Sequence, residues 1–111
     1  MGAHYAEPLG EFEQLVLLAV LLLEDAAYAV SIREAIERRT GRPVSRGAIY
    51  VTLSRLDDKG YLDSRLGDPT PERGGRAKRL YRVKPVGVAA LKQSLGALDR
   101  MRAGLRGLRE V

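Results

Sequence analysis

The sequence predicts a mainly α fold with a small β-hairpin, closed by one long helix. Three observations predict it. Apolar residues recur at helical spacing in three successive segments before Gly60. The period then falls to two in the short stretches around Ser64 and Tyr81. From Pro85 onward leucines return at steps of three and four.

Met1 to Pro8 has little pattern and reads as an N-terminal arm, residues 1–8. Leu9 to Leu23, LGEFEQLVLLAVLLL, reads as the first helix. Nearly every residue after Gln14 is apolar, so this helix needs cover on more than one side. A small domain seldom encloses a helix all round, and the surplus asks for a second subunit. DAAYAV is a short connection. Val30 to Arg39 reads as the second helix, with Ile32, Ala35 and Ile36 as one stripe. Arg33, Glu34, Glu37 and Arg38 form its other face, and Gly41 and Pro43 stop it.

The third helix runs from Ser45 to Lys59, with Ser45 able to cap its start and Gly60 to end it. Ile49, Leu53 and Leu56 form a stripe for the core. Arg46, Tyr50, Thr52, Ser54 and Arg55 lie between the stripe positions. These side chains form hydrogen bonds, and several bind anions. The helix therefore has a face to bury and a face made for contact.

Past Gly60, YLDSRL sets Tyr61, Asp63 and Arg65 against Leu62, Ser64 and Leu66. KRLYRV sets Leu80 and Arg82 against Tyr81 and Val83. Between them GDPTPERGGRA carries Arg73 and Arg76 around Gly74 and Gly75, which makes a hairpin with a long basic tip. Pro85 suits the first turn of a helix. Leu91, Leu95, Leu98, Met101, Leu105 and Leu108 then step close to a coiled-coil seam. Three helices and a hairpin in this order make a winged helix-turn-helix domain, residues 9–84, followed by a long C-terminal dimerisation helix, residues 85–111. In that fold the third helix enters the DNA major groove, and the hairpin lies along the backbone or minor groove.

Charge placement agrees. Residues 1–43 carry four basic and seven acidic side chains, residues 44–84 carry ten and five, and residues 85–111 carry five and two. The basic excess is thus confined to the second and third parts, as a polyanion-binding surface would have it. Charge alone equally fits a solvated arginine-rich surface. There is no cysteine, hence no disulfide and no thiolate chemistry. The longest apolar run, Leu15 to Leu23, is too short to cross a bilayer. Glu7, Glu11 and Glu13 stand where a signal peptide needs Lys or Arg, so the chain reads as soluble and cytoplasmic. Catalysis lacks an inventory. His4 is the lone histidine and sits in the arm; there is no nucleophile elbow, no phosphate-binding loop and no metal cluster. No enzyme and no cofactor are expected.

The stretches LGEFEQLVLLAVL, AYAVSIREAIERRTG, VSRGAIYVTLSRLDDKGYL and GGRAKRLYRV, in this order, resemble the PadR family of bacterial transcriptional regulators. The resemblance runs from about Leu9 to Leu91. It implies a homodimeric repressor with a winged-helix domain and a dimerising terminal helix, in the family's shorter branch. It also implies control by a small molecule, in many members phenolic compounds or planar drugs. This chain has no tryptophan to stack a planar drug. The chain departs from the family pattern in two places. Val51 stands where proline commonly follows the tyrosine of the third helix, and KPVG, Lys84 to Gly87, replaces the usual Thr-Pro-Glu-Gly. Lys84 is a poor cap for the helix that follows.

On this reading the DNA-binding residues are Ser45, Arg46, Gly47, Tyr50, Ser54 and Arg55 on the third helix, with Arg73, Gly75, Arg76 and Lys78 at the wing. A guanidinium fork matches both guanine edges and phosphates. Tyr50 resembles the family tyrosine that reaches the DNA backbone; packing on its own helix is the other possibility. The dimer interface is expected from Phe12, Leu15, Leu18, Leu91, Leu95, Leu98, Met101 and Leu105. Gly87, Gly96, Gly104 and Gly107 make the terminal helix marginal alone, each costing about 1 kcal/mol relative to alanine. Its leucines want either a partner's first helix or the chain's own. Phe12, Leu15, Leu95 and Leu98 would line an inducer pocket at that interface. The alternative function is a winged-helix protein-protein interaction module with a basic surface. It requires an apolar patch beside Arg46 and Arg55, which the sequence does not supply.

Overall fold

A computed structural model describes residues 7–67, 77–105 and 107. Helix α1 spans Glu11–Leu23 and leads through a single 3-10 turn, Glu24–Ala26, into α2, Ala29–Thr40. Helix α3 is Arg46–Asp58, strands β1 and β2 are Leu62–Leu66 and Arg79–Val83, and α4 is Pro85–Arg102. The strands pair antiparallel in one register, Leu62 opposite Val83 and Leu66 opposite Arg79. The mainly α order with a small hairpin is the one the periodicities predict.

The core forms where the apolar stripes meet. Val16, Leu17 and Val20 of α1 pack with Ile32 and Ile36 of α2 and with Ile49, Leu53 and Leu56 of α3. Leu62 and Val83, paired across the hairpin, and Ala90 and Leu91 of α4 close it. Each such side chain is worth about 1.5–3 kcal/mol on burial, so this cluster is the main source of stability.

Several boundaries differ from expectation for local reasons. α1 starts at Glu11, two residues late. Leu9 and Gly10 stay outside the helix because their N–H groups are taken by side chains, Leu9 N by Ser94 Oγ at 3.1 Å and Gly10 N by Glu13 Oε1 at 3.0 Å. The terminal helix stops at Arg102. Gly104 turns left-handed at φ 80°, and the Leu105 N–H bonds back to Arg102 O at 3.0 Å, so Leu105 lies beyond the helix and cannot extend the seam. Leu108 lies outside the described residues, as does His4. Leu91 needs no partner: it is 3% exposed, inside this chain's own core. Thr52, assigned by spacing to the contact face of α3, is also buried.

α4 is seated by a close approach at Gly87. A Cβ there would fall 2.4 Å from Tyr61 O and 2.9 Å from a Val83 methyl, so only glycine lets the helix start pass the turn before β1. Lys84 makes no side-chain cap, but its N–H donates to Tyr61 O at 2.9 Å.

Candidate nucleic-acid interface

Helix α3 begins on a proper cap. Ser45 Oγ accepts the Ala48 N–H at 3.1 Å, so this hydroxyl serves the helix before anything else. The turn ahead of it is clamped to α2. Arg33 Nε donates to Val44 O at 2.8 Å, and the Val44 N–H donates to Glu37 Oε2 at 2.9 Å. Arg33 and Glu37 also pair with each other at 3.7 Å. One residue pair on α2 thus satisfies both backbone groups of Val44 and fixes where α3 starts.

Both flanks of α3 are also tied to the first turn of α1. Arg42 reaches Glu11 at 3.0 Å, on the surface. Lys59, the C-cap residue of α3, reaches Glu13 at 2.9 Å. Glu13 is 7% exposed. Burial pushes its carboxyl up, but the hydrogen bonds from Lys59 and from Gly10 N–H, with the Lys59 and Arg55 charges, outweigh that and hold it below the usual carboxylate range.

With its apolar stripe in the core, α3 presents Arg46, Gly47, Tyr50, Ser54 and Arg55 to solvent. Tyr50 is 55% exposed, which decides against packing on its helix. Among the described residues no ion pair engages Arg46 or Arg55. Arg46 occupies the first helical position, and no acidic residue stands in that turn. A cation at the positive end of a helix opposes the macrodipole by a few tenths of a kcal/mol, about 0.3–1 at most. Nothing in the fold requires it there; an anion facing that end would. A Cβ on Gly47 would meet nothing within 4 Å, so the protein's own packing does not demand this glycine either. Val51 is exposed beside Tyr50, an apolar spot the stripe pattern does not single out.

The hairpin stands next to this helix. The Tyr81 N–H donates to Ala27 O at 2.8 Å, and Lys78 Nζ lies 4.1 Å from the centroid of the Tyr28 ring. The hairpin is therefore joined to the start of α2 by a backbone bond at Tyr81 and by a cation–π contact at Lys78. Burial pushes the Tyr81 phenol above its ordinary range; Arg79 opposes this, while Asp57 and Tyr50 of α3 add to it. Arg73, Gly75 and Arg76 of the wing tip lie outside the described residues. Lys78, at the tip's end, is exposed.

The residues of the expected dimer face divide three ways. Leu91 is core. Phe12, Leu15, Leu18 and Leu95 are partly buried against the core. Leu98 and Met101, 54% and 78% exposed, project from α4, and Leu105 is exposed past its end. A groove of about 200 Å³ runs beside Leu98, lined by Pro8, Leu9, Gln14, Gln93, Ser94 and Ala97. Of the four residues expected to line an inducer pocket, Leu98 alone borders it. Sequence reasoning missed Glu13, Ser94 and Tyr28. Only Glu13 leaves a signal, since it stands three residues after the cap position, as a capping-box glutamate does.

A capped third helix with one face in the core and a basic face outside, beside an anchored two-stranded wing, defines a winged helix-turn-helix DNA-binding fold. A family model for the PadR-like transcriptional regulators matches residues 17–93, and the chain belongs to that family. Its members are transcriptional regulators and not enzymes. The chain is 42% identical over 65 residues to a transcriptional regulator of Mycobacterium tuberculosis, a match covering 57% of this chain and 55% of that protein. It thus spans about half the length of the curated relative it matches. Among solved structures it is similar to a PadR-like regulator from Bacillus cereus, at a TM-score of 0.71 and 17% identity over 90% of this chain and 92% of that one. A transcriptional regulator from Clostridium thermocellum gives 0.66 and 23% over 81% and 84%. At these identities the likeness is one of fold. Among the described residues no helix is long and apolar enough to cross a membrane.

Proposed function

We propose that the chain acts in the cytoplasm as a homodimeric repressor that binds a roughly palindromic double-stranded operator and is released by a small-molecule inducer. One observation carries this reading: α3 is held at both ends by caps and clamps, yet turns Arg46, Gly47, Tyr50 and Arg55 outward with no ion pair in the described fold. In this reading Arg46 and the Gly47 backbone meet base edges, since the start of a recognition helix lies deepest in the groove. Tyr50, Ser54 and Arg55 hold the DNA backbone, and Val51 offers an apolar contact of the kind that suits a thymine methyl. Lys78, with Arg73, Gly75 and Arg76 beyond it, follows the phosphates at the wing. Residues 9–84 are the DNA-binding domain, residues 1–8 an arm, and residues 85–111 the dimerisation segment. Leu98 and Met101 supply the apolar surface of α4 for a second copy. The groove beside Leu98 is small for a ligand pocket, which typically holds about 300–1,000 Å³. An inducer seated there needs the partner's surface to complete its walls.

Selection of bound duplexes from a random pool tests the central claim. The expected product is an inverted repeat with half-sites about one or two helical turns apart. A pool that emerges unenriched overturns the reading.

A further inference from the structure

Three polar side chains are buried among the described residues: Thr52, Glu13 and Ser94. Thr52 belongs to α3 itself. The other two lie on one continuous path that DNA contact does not use. Ser94, on α4, accepts the Leu9 N–H at 3.1 Å. The next N–H along the chain, that of Gly10, goes to Glu13 Oε1 at 3.0 Å. The other oxygen of that carboxylate takes the Lys59 ammonium at 2.9 Å. Gln14 Nε2 donates to Leu9 O at 2.9 Å, so the Leu9 backbone is held through both its polar groups. The path therefore runs from α4, through the two residues before α1 and the first turn of α1, to the C-cap of α3.

Such a path does something apolar packing does not. Hydrophobic contact is non-directional, so apolar packing resists a small change in the angle of α3 less sharply than directional bonds do. Hydrogen bonds and ion pairs are directional. The start of α3 is already held at Val44, so the tie at Lys59 removes the remaining pivot. Lys59 lies about 20 Å along the helix from Arg46 at the usual rise, so a pivot of about 5° shifts one end by nearly 2 Å. In a symmetric dimer joined through α4, the angle between α3 and α4 sets the distance between the two reading helices, and hence the spacing of half-sites.

We infer that Glu13 and Ser94 are positioning residues that restrict the half-site spacing this protein accepts, by holding α3 at one angle to α4. The inference rests on the reading of the chain as a DNA-binding dimer.

The test is a spacer series. The selected operator is rebuilt with one or two base pairs added or removed between its half-sites, and full-length wild type, Glu13→Gln and Ser94→Ala are titrated on each duplex. Wild type is expected to lose about tenfold or more for one base pair of error. Each variant is expected to lose less than about threefold, a flattened spacing profile, with binding to a single isolated half-site unchanged. Ile36→Val, a core change that removes none of these hydrogen bonds, controls for general loosening and should keep the sharp profile. If Glu13→Gln proves unfolded by circular dichroism, Ser94→Ala decides alone. A sharp profile in the folded variants, or a flat one in Ile36→Val, overturns the inference while leaving the DNA-binding reading intact. A wild type indifferent to spacing overturns the inference with the dimeric operator.

Discussion

Helices α3 and α4 are built to opposite rules. α3 has a serine cap, a continuous apolar stripe in the core, ties to α1 and α2 just ahead of its start, and a tie to α1 at its end. α4 has no side-chain cap, carries glycine within it, and sends Leu98 and Met101 into solvent. What is exposed differs too: arginine, tyrosine and serine on the first, with Val51 among them; leucine and methionine, beside charged residues, on the second. A firmly docked helix with a mainly polar outer face suits the proposed reading role, because its side chains are held in place before a ligand arrives. A helix docked through its first half, with apolar side chains exposed beyond, is a surface waiting for cover, and the stability of that later part comes with the cover.

Five changes would break or sharpen this contrast. The largest effect is expected on the apolar side. Leu95→Asp together with Leu98→Asp puts charges where the second subunit is proposed to sit, at several kcal/mol per buried ion, about 4 or more for the pair. Sedimentation should then show monomers, and a wild type already monomeric at micromolar concentration removes the contrast. Next comes the seat of α4. Gly87→Ala forces a Cβ against Tyr61 O and should cost about 1–3 kcal/mol of unfolding free energy in denaturant titrations. An unchanged midpoint would mean the helix start can shift freely.

On the reading side, Arg46→Ala should lose about 1–3 kcal/mol on the operator and little on scrambled duplex, shrinking their ratio. Tyr50→Phe should weaken both alike, since backbone contacts are blind to sequence. Paired titrations at one salt concentration separate the two, and an intact ratio in Arg46→Ala removes that arginine from base reading. The smallest change is the most discriminating. Gly47→Ala should stabilise the free protein by up to about 1 kcal/mol, because helix propensity improves and no atom is near. If the backbone approaches DNA at this point, the same methyl should weaken operator binding. Stabilisation with undiminished affinity would leave the glycine without a role in recognition.

The contrast also marks how much the sequence discloses. The stripe Ile49, Leu53 and Leu56 and the alternation around Ser64 are legible because burial imposes a period on a single segment. The exposed face of α3 follows by subtraction, with Thr52 the error: spacing alone cannot tell a residue at the stripe's edge from one on the far face. Leu91 shows the complementary failure. A seam of leucines looks uniform in sequence, yet the first is core, Leu98 is surface, and Leu105 is past the helix end, because α4 runs on beyond the core it covers. The ties through Glu13, Ser94 and Tyr28 join residues far apart in the chain, and pairings of that kind leave almost no local pattern. The wing contacts of Arg73, Gly75 and Arg76 rest on composition, and those residues lie outside the described structure.

The outward side chains of α3 have a consequence for how such a protein changes over time. Among the described residues, no ion pair or hydrogen bond to the rest of the fold passes through Arg46, Tyr50, Ser54 or Arg55, and the helix is held by Ser45, Val44, Lys59 and its buried stripe. On the proposed reading, target preference and foldedness are thus inscribed on separate letters of one short word. Copies of this gene can drift at the first set, trying new operators, while the second set keeps every trial a folded protein.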